Sequence, residues 1–200
     1  MARRLKRKHG VSLLALLVVL FVALAQAEGW FGAVGQKAAT NAPGMYVVNH
    51  YVDGDTISVD MNGKAQEVRF IGIDTPETHK PNTPVQCYGP AAAAYTKNKI
   101  SAAGGKVRLV SDSLSTDRDR YGRLLRYVYL PNGQDLNEQI IVNGYGFYYP
   151  YFPFSKSNLF SAEEQSAIIA KKGLWSACHP TPSDKGGYKM DETQAQANGQ

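Results

Sequence analysis

Three of the six carboxylates in residues 53–78, DGDTISVDMNGKAQEVRFIGIDTPET, fall with its one guanidinium at or near two strand ends. They are Asp55, Asp74, Glu77 and Arg69. Clustered carboxylate oxygens are what a hard cation binds. A guanidinium matches a phosphate bidentately and stays charged at any working pH. Asp55 opens one strand, in the turn Asp53-Gly54-Asp55-Thr56, and Asp74 ends a later one that contains Arg69. If those strands are neighbours, both aspartates fall at one rim of one sheet. Thr75-Pro76 then leads to Glu77. Proline fixes its own φ and keeps Thr75 extended, so the exit is stiff and can hold the glutamate in place. Arg69 poses a parity problem, because it lies five residues from Asp74 and strand faces alternate. If both serve one site, the strand must bend or bulge between them, and Gly72 is the natural place. Asp53 reads as a turn former or as a group behind the ion's ligands.

The elements that must carry these residues can be read in order. Residues 45–52 and 56–60 read as strands, and Asn62-Gly63 is a strong hairpin signal before a third strand over 64–73. Pro90 and Gly104 bracket a helix over 91–103. Residues 107–110 and 124–130 read as two more strands. Asp135 to Glu138 looks like a capping box for a second helix stopped by Gly144, and Ser161 to Glu164 repeats it for a third helix stopped by Gly173. Five short strands and three helices in about 135 residues suit an α+β domain with a mainly β core, a small closed barrel of the OB type.

The chain has 200 residues and a formal net charge of +5, but five of its 22 basic residues lie in the first ten and all 17 acids lie at or beyond Glu28. Without the leader the charge is balanced, so the basic pI is no argument for nucleic-acid binding; any basic surface must be local. Residues 1–27 combine a basic start, an apolar run over 11–25 and the small-x-small pattern Ala25-Gln26-Ala27. They read as a secretory signal peptide or an uncleaved N-terminal membrane anchor, and both place the domain outside the cytoplasm. Residues 28–44 read as a linker, 45–179 as the folded domain and 180–200 as a disordered tail. Nothing demands a partner chain, so a monomer is expected. Cys87 and Cys178 are the only cysteines, and in an exported chain they read as a disulfide. Closing a loop of roughly 90 residues contributes on the order of 4 kcal/mol in the chain-entropy model.

Taken together, DGDT at 53–56, RFIGIDTPET at 69–78, YGP at 88–90, DRYGR at 119–123, NEQIIVNG at 137–144 and GLW at 173–175 resemble the staphylococcal nuclease (thermonuclease) family. The resemblance covers roughly residues 45–175. It implies a five-stranded OB barrel and Ca²⁺-dependent hydrolysis of DNA and RNA to 3′-phosphate products. It further implies that Asp55, Asp74 and the Thr75 carbonyl hold the ion, that Glu77 activates or orients the attacking water, and that Arg69 and Arg123 clamp the phosphate. Arg120 and Tyr121 fall where family members contact a neighbouring phosphate, although the basic residue there is commonly lysine. Tyr149 and Tyr151 are the nearest match to two base-stacking tyrosines, and Pro150 and Pro153 loosen that register. Stacking on unpaired bases favours single strands.

Plainer readings compete. Asp55 could merely shape its turn, either arginine could be a surface ion pair, and Arg118, Arg120, Arg123 and Arg126 could be a solvated loop instead of a basic patch. Some of Tyr145, Tyr148, Tyr149 and Tyr151 belong to the core. His79 carries no catalytic task. The rival from another class is a non-catalytic OB module that binds nucleic acid at the cell surface.

Overall fold

The computed structural model describes residues 44–79, 84–184 and 186–190. The leader, most of the linker, residues 80–83 and the last ten residues lie outside them. Strands β1 (Met45–Tyr51), β2 (Thr56–Met61), β3 (Lys64–Phe70), β5 (Lys106–Val110) and β6 (Leu124–Tyr129) close a barrel in the order β1-β2-β3-β6-β5. β3 and β6 pair in parallel and the other neighbours are antiparallel. This is the five-stranded OB barrel that the sequence implies. The β2–β3 hairpin turns on Asn62 and Gly63, both at positive φ (56° and 78°), which is why an Asn-Gly pair stands there.

Ile57, Val59, Val68, Phe70, Val107, Leu124 and Val128 fill the barrel at no more than 3% exposure. Helix α1 (Gly89–Ala102) places Pro90 in its first turn, as expected, and ends before Gly104. Helix α2 (Leu136–Val142) is capped by the Asp135 side chain, which accepts from the N–H groups of Asn137 and Glu138. A second apolar cluster of Phe147, Leu174, Cys178 and Met190 lies under the C-terminal segment.

Four expectations need correction. The third strand does not run to 73. It stops at Phe70, turns through Ile71-Gly72 and resumes as β4 (Ile73–Asp74), which pairs instead with β7 (Phe147–Tyr148). Ser161 caps nothing, because helix α3 (Ser157–Ile169) begins a turn earlier and buries Glu164 at 2% exposure. A fourth helix, α4 (Leu174–Ala177), follows Gly173, where the third was expected to stop. The tail is not featureless, since β8 (Thr181–Pro182) and β9 (Tyr188–Lys189) form a hairpin and Met190 is buried. Met190 finds apolar partners that a one-dimensional pattern cannot show. Among the described residues no helix is long and apolar enough to cross a membrane.

Glu164 gives a prediction of stability. Its Oε1 accepts from the Tyr148 N–H at 2.9 Å, and burial pushes its carboxyl up to about 7. A folded-state pKa raised above the unfolded value gives stability that is present at acid pH and lost as pH rises through 7. Glu164→Gln keeps the acceptor and cannot ionise. It should match the wild type near pH 4.5 and exceed it at pH 8 by on the order of 2 kcal/mol, seen as a rise of several degrees in Tm. Equal Tm values at both pH values would contradict the cause assigned here.

Candidate active site

Register builds the rim. Thr56 pairs with Arg69, and the Phe70 N–H donates to the Asp55 carbonyl at 2.9 Å, so Asp55 stands beside the end of β3. The Asp53 side chain accepts from the Asp55 N–H at 3.0 Å and holds the turn, as one of its two readings required. Gly54 has no room for a side chain, because a Cβ there would lie 2.8 Å from Thr75. Asp55 is 3% exposed and fully engaged. Oδ1 accepts from the Thr56 hydroxyl, and Oδ2 from the Thr75 N–H at 2.7 Å and the Thr75 hydroxyl at 3.1 Å.

The break at Ile71-Gly72 resolves the parity problem. Gly72 sits at φ 73°, which suits glycine, and a Cβ would strike the Phe154 ring at 2.5 Å. Asn137 fixes the break. It is fully buried, and it donates to the Ile71 carbonyl while accepting from the Val128 N–H, both at 2.9 Å. The turned strand brings Asp74 to the same guanidinium as Asp55. Arg69 Nη1 lies 2.9 Å from Asp55 Oδ2, and Nη2 donates to Asp74 Oδ1 at 2.6 Å. Nη1 also donates to the Ile73 carbonyl at 2.8 Å. Burial opposes the Arg69 charge, yet Asp55, Asp74 and Asp53 outweigh it and raise its pKa above the ordinary arginine value. Burial, and then the charge of Asp55, push the Asp53 carboxyl up to about 8.

Two carboxylates, Asp55 and Asp74, therefore grip one guanidinium beside the raised carboxyl of Asp53, an excess of negative charge made entirely of oxygen donors. That chemistry suits a hard divalent cation. Among the described residues no group of three or more His, Cys, Asp or Glu side chains is arranged to hold an ion. A cation at this rim would take Asp55 and Asp74 and complete its shell with other oxygens, in the manner of hard ions at phosphoryl sites.

Glu77 stands on the exit beyond Thr75-Pro76. Its Oε1 accepts from the N–H groups of Thr78 at 2.9 Å and His79 at 3.0 Å. Its own N–H donates to the Gln86 side chain at 2.7 Å. Among the described residues no hydrogen bond or ion pair joins its side chain to Arg69 or Arg123.

Arg123 belongs to a second group. Its Nε donates to Asp119 Oδ2 at 2.7 Å, and its N–H to Asp119 Oδ1 at 3.0 Å. Asp119 also accepts from the Tyr121 N–H at 2.9 Å, so one carboxylate shapes the whole DRYGR turn. Burial works to raise the Asp119 pKa, but these donors outweigh it and hold it below the ordinary carboxylate value. Arg120 and Arg123 both lie over the Tyr121 ring, at 4.8 and 5.4 Å, and that ring is 68% exposed. The four arginines of this segment keep an excess of positive charge, but two aspartates stand among them. Arg118 and Arg126 both pair with Asp117, and Arg123 pairs with Asp119. Among the described residues no carboxylate lies within ion-pair distance of Arg120.

Tyr149 links the two groups. Its N–H donates to the Gly72 carbonyl at 2.9 Å, and its ring lies 6.0 Å from the Arg69 guanidinium carbon. Burial, then the Asp74 charge, raise its phenol pKa, while the charges of Arg69 and Arg120 pull it down. Tyr151 meets Tyr149 edge to face at 4.4 Å. Tyr145 and Tyr148 are structural. Tyr145 stacks on Tyr95 at 4.0 Å, and the Tyr148 hydroxyl bonds to Ser157.

A sequence model of the family described as staphylococcal nuclease homologue matches residues 67–177. That is more than half of the chain and takes in Arg69, Asp74, the Glu77 exit and the DRYGR turn, while Asp55 lies before it. The chain belongs to the staphylococcal nuclease family. It is 39% identical over 170 residues to a thermonuclease of Staphylococcus hyicus, covering 83% of this chain and 95% of the relative. It is 45% identical over 123 residues to a thermonuclease of Staphylococcus intermedius, covering 60% and 68% respectively. It is 42% identical over 127 residues to the endonuclease YncB of Bacillus subtilis (strain 168), covering 62% and 58%. It is a nuclease that hydrolyses phosphodiester bonds.

In this staphylococcal nuclease family member the sequence reading named the acids and arginines but missed three residues that arrange them. Asp119 was legible in principle, since it lies four positions before Arg123. Asn137 and Gln86 were not, because their partners Ile71 and Glu77 are distant or separated by a loop. Cys87 and Cys178 do form the expected disulfide.

Proposed function

We propose that this nuclease is a Ca²⁺-dependent endonuclease that cuts DNA and RNA, single strands preferentially, and leaves 3′-phosphates. The observation that carries the reading is the pair Asp55 and Asp74 held on the two arms of Arg69 at one barrel rim. Asp55, Asp74 and the Thr75 backbone would hold the ion. When bound, it supplies Lewis-acid polarisation of a phosphoryl oxygen. Glu77 orients the attacking water and accepts its proton. Arg69 and Arg123 donate to the phosphoryl oxygens, where charge grows as the water oxygen bonds to phosphorus. Arg120 and Tyr121 seat an adjoining phosphate. Tyr149 and Tyr151 offer ring faces to unpaired bases, which favours single strands. The bond to the 5′ oxygen breaks, and the phosphate stays on the 3′ oxygen. The leader reading adds that the enzyme works outside the cytoplasm, secreted or held at the membrane, as a monomer.

The test is digestion of a single-stranded oligonucleotide by residues 28–200. Chelation of Ca²⁺ should lower the rate by about 10²-fold or more, with recovery on adding Ca²⁺ back and 3′-phosphate ends in the products. Equal cleavage with chelator would remove the metal from the mechanism.

A further inference from the structure

We propose that Gln86 is the positioning residue for Glu77, and that the Cys87–Cys178 disulfide anchors Gln86, so that turnover depends on the bridge. The inference rests on the catalytic reading of Glu77 given above.

Glu77 and Gln86 hold each other twice. The Glu77 N–H donates to Gln86 Oε1 at 2.7 Å, and the Gln86 N–H donates to the Glu77 carbonyl at 2.9 Å. This reciprocal pair closes the base of the loop between them. The two ends of that loop, Glu77 and Gln86, lie against the start of α1. The Gly89 N–H donates to the Gln86 carbonyl at 3.0 Å, and a Cβ on Gly89 would lie 2.9 Å from the Glu77 carbonyl oxygen. Between Gln86 and that helix stand Cys87 and Tyr88. Tyr88 is held at φ 67°, a left-handed conformation that a bulky residue adopts only when its surroundings impose it.

The bridge supplies that imposition. Cys178 follows the last residue of α4 and is 4% exposed, in the cluster with Phe147, Leu174 and Met190. Phe147 is also the strand partner of Asp74. One apolar cluster therefore backs both arms of the site: Asp74 through β7, and Glu77 through Cys87 and Gln86. Pro84 and Val85, just before Gln86, are exposed and bring little packing of their own. With the bridge opened, the loop end keeps hydrogen bonds that water can replace and the partial packing of Cys87 and Tyr88 on the cluster and on Tyr145. A general base displaced by about 1 Å can lose on the order of 10²-fold in rate.

The experiment compares kcat and KM on a single-stranded oligonucleotide with Ca²⁺ present, at a temperature where every protein is folded by circular dichroism. Dithiothreitol supplies two electrons and two protons, opens the Sγ–Sγ bond to two thiols and ends as its own cyclic disulfide. The reduced enzyme, the double variant Cys87→Ala/Cys178→Ala and Gln86→Met should each lose at least about tenfold in kcat with KM near the wild-type value. Gln86→Glu, which keeps the acceptor for the Glu77 N–H, should recover most of the loss. Limited proteolysis should cut within 78–86 faster in the proteins lacking the bridge. In a Glu77→Ala background the cysteine replacements should cost nothing further, because a group that acts through Glu77 has nothing left to position. Wild-type kcat in the bridge-free and Gln86→Met proteins, alongside an inactive Glu77→Ala, overturns this inference alone. A further loss in the Glu77→Ala background also overturns it, by showing that the bridge acts on the fold at large. Full turnover by Glu77→Ala would overturn the catalytic reading and this inference with it.

Discussion

Glu77→Ala is expected to lower kcat on single-stranded DNA by about 10²–10⁴-fold, the range that positioned general bases contribute. KM should change little, because Glu77 is assigned to the water and not to the polymer. The fold should survive. Among the described residues the Glu77 side chain accepts only from the Thr78 and His79 N–H groups, which lie in a loop that water reaches. Their loss should cost about 1 kcal/mol or less. Glu77→Gln separates two roles. The amide oxygen can still accept both N–H groups, so the loop keeps its shape, but the side chain cannot take a proton. A loss as large as that of Glu77→Ala assigns the effect to proton acceptance; a small loss assigns it to orientation. Turnover within threefold of wild type in both variants would remove Glu77 from the chemistry.

Arg123→Ala should lower kcat by about 10²–10³-fold, the cost of removing one donor aimed at developing negative charge. Arg123→Lys keeps a charge but cannot form two parallel bonds, so it should recover only part of the loss. Asp119 sharpens the test. It fixes Arg123 through Nε, which leaves the terminal nitrogens of the fork as the groups for phosphate. Asp119→Asn keeps an acceptor and loses the charge, and should fall between wild type and Arg123→Ala. If Arg123→Ala raises KM and leaves kcat unchanged, the arginine binds the polymer equally in ground and transition states. Its assigned role would then be wrong.

These two predictions also show where a one-dimensional reading has purchase. DGDT and DRYGR are local devices. Asp53 bonds the Asp55 N–H two residues on, and Asp119 bonds the Tyr121 and Arg123 N–H groups within a single turn. Such bonds depend on short spacings, so residue type and order declare them. The Asn-Gly hairpin and the Asp135 cap were legible for the same reason. The third helix was misplaced because its true start, Ser157, has no side-chain cap, whereas Ser161 to Glu164 imitates one inside the helix. The pairing of Arg126 was not legible because Asp117, which it shares with Arg118, reaches it only across a turn and a strand.

By itself the sequence determined the donors and acceptors at the site, the barrel's five strands and the pairing of the two cysteines. Side-chain chemistry and short-range backbone preference are properties of composition and spacing. Tertiary structure alone decided that β3 breaks at Ile71-Gly72, that Asn137 pins the break, and that Asp74 swings onto the arginine that already holds Asp55. It also decided that Gln86 bonds the Glu77 backbone and that its neighbour Cys87 is tied to the buried Cys178. Most of those contacts join residues far apart in the chain, and they exist only after the barrel has closed and its helices have packed. Their energies depend on distances that no local pattern encodes.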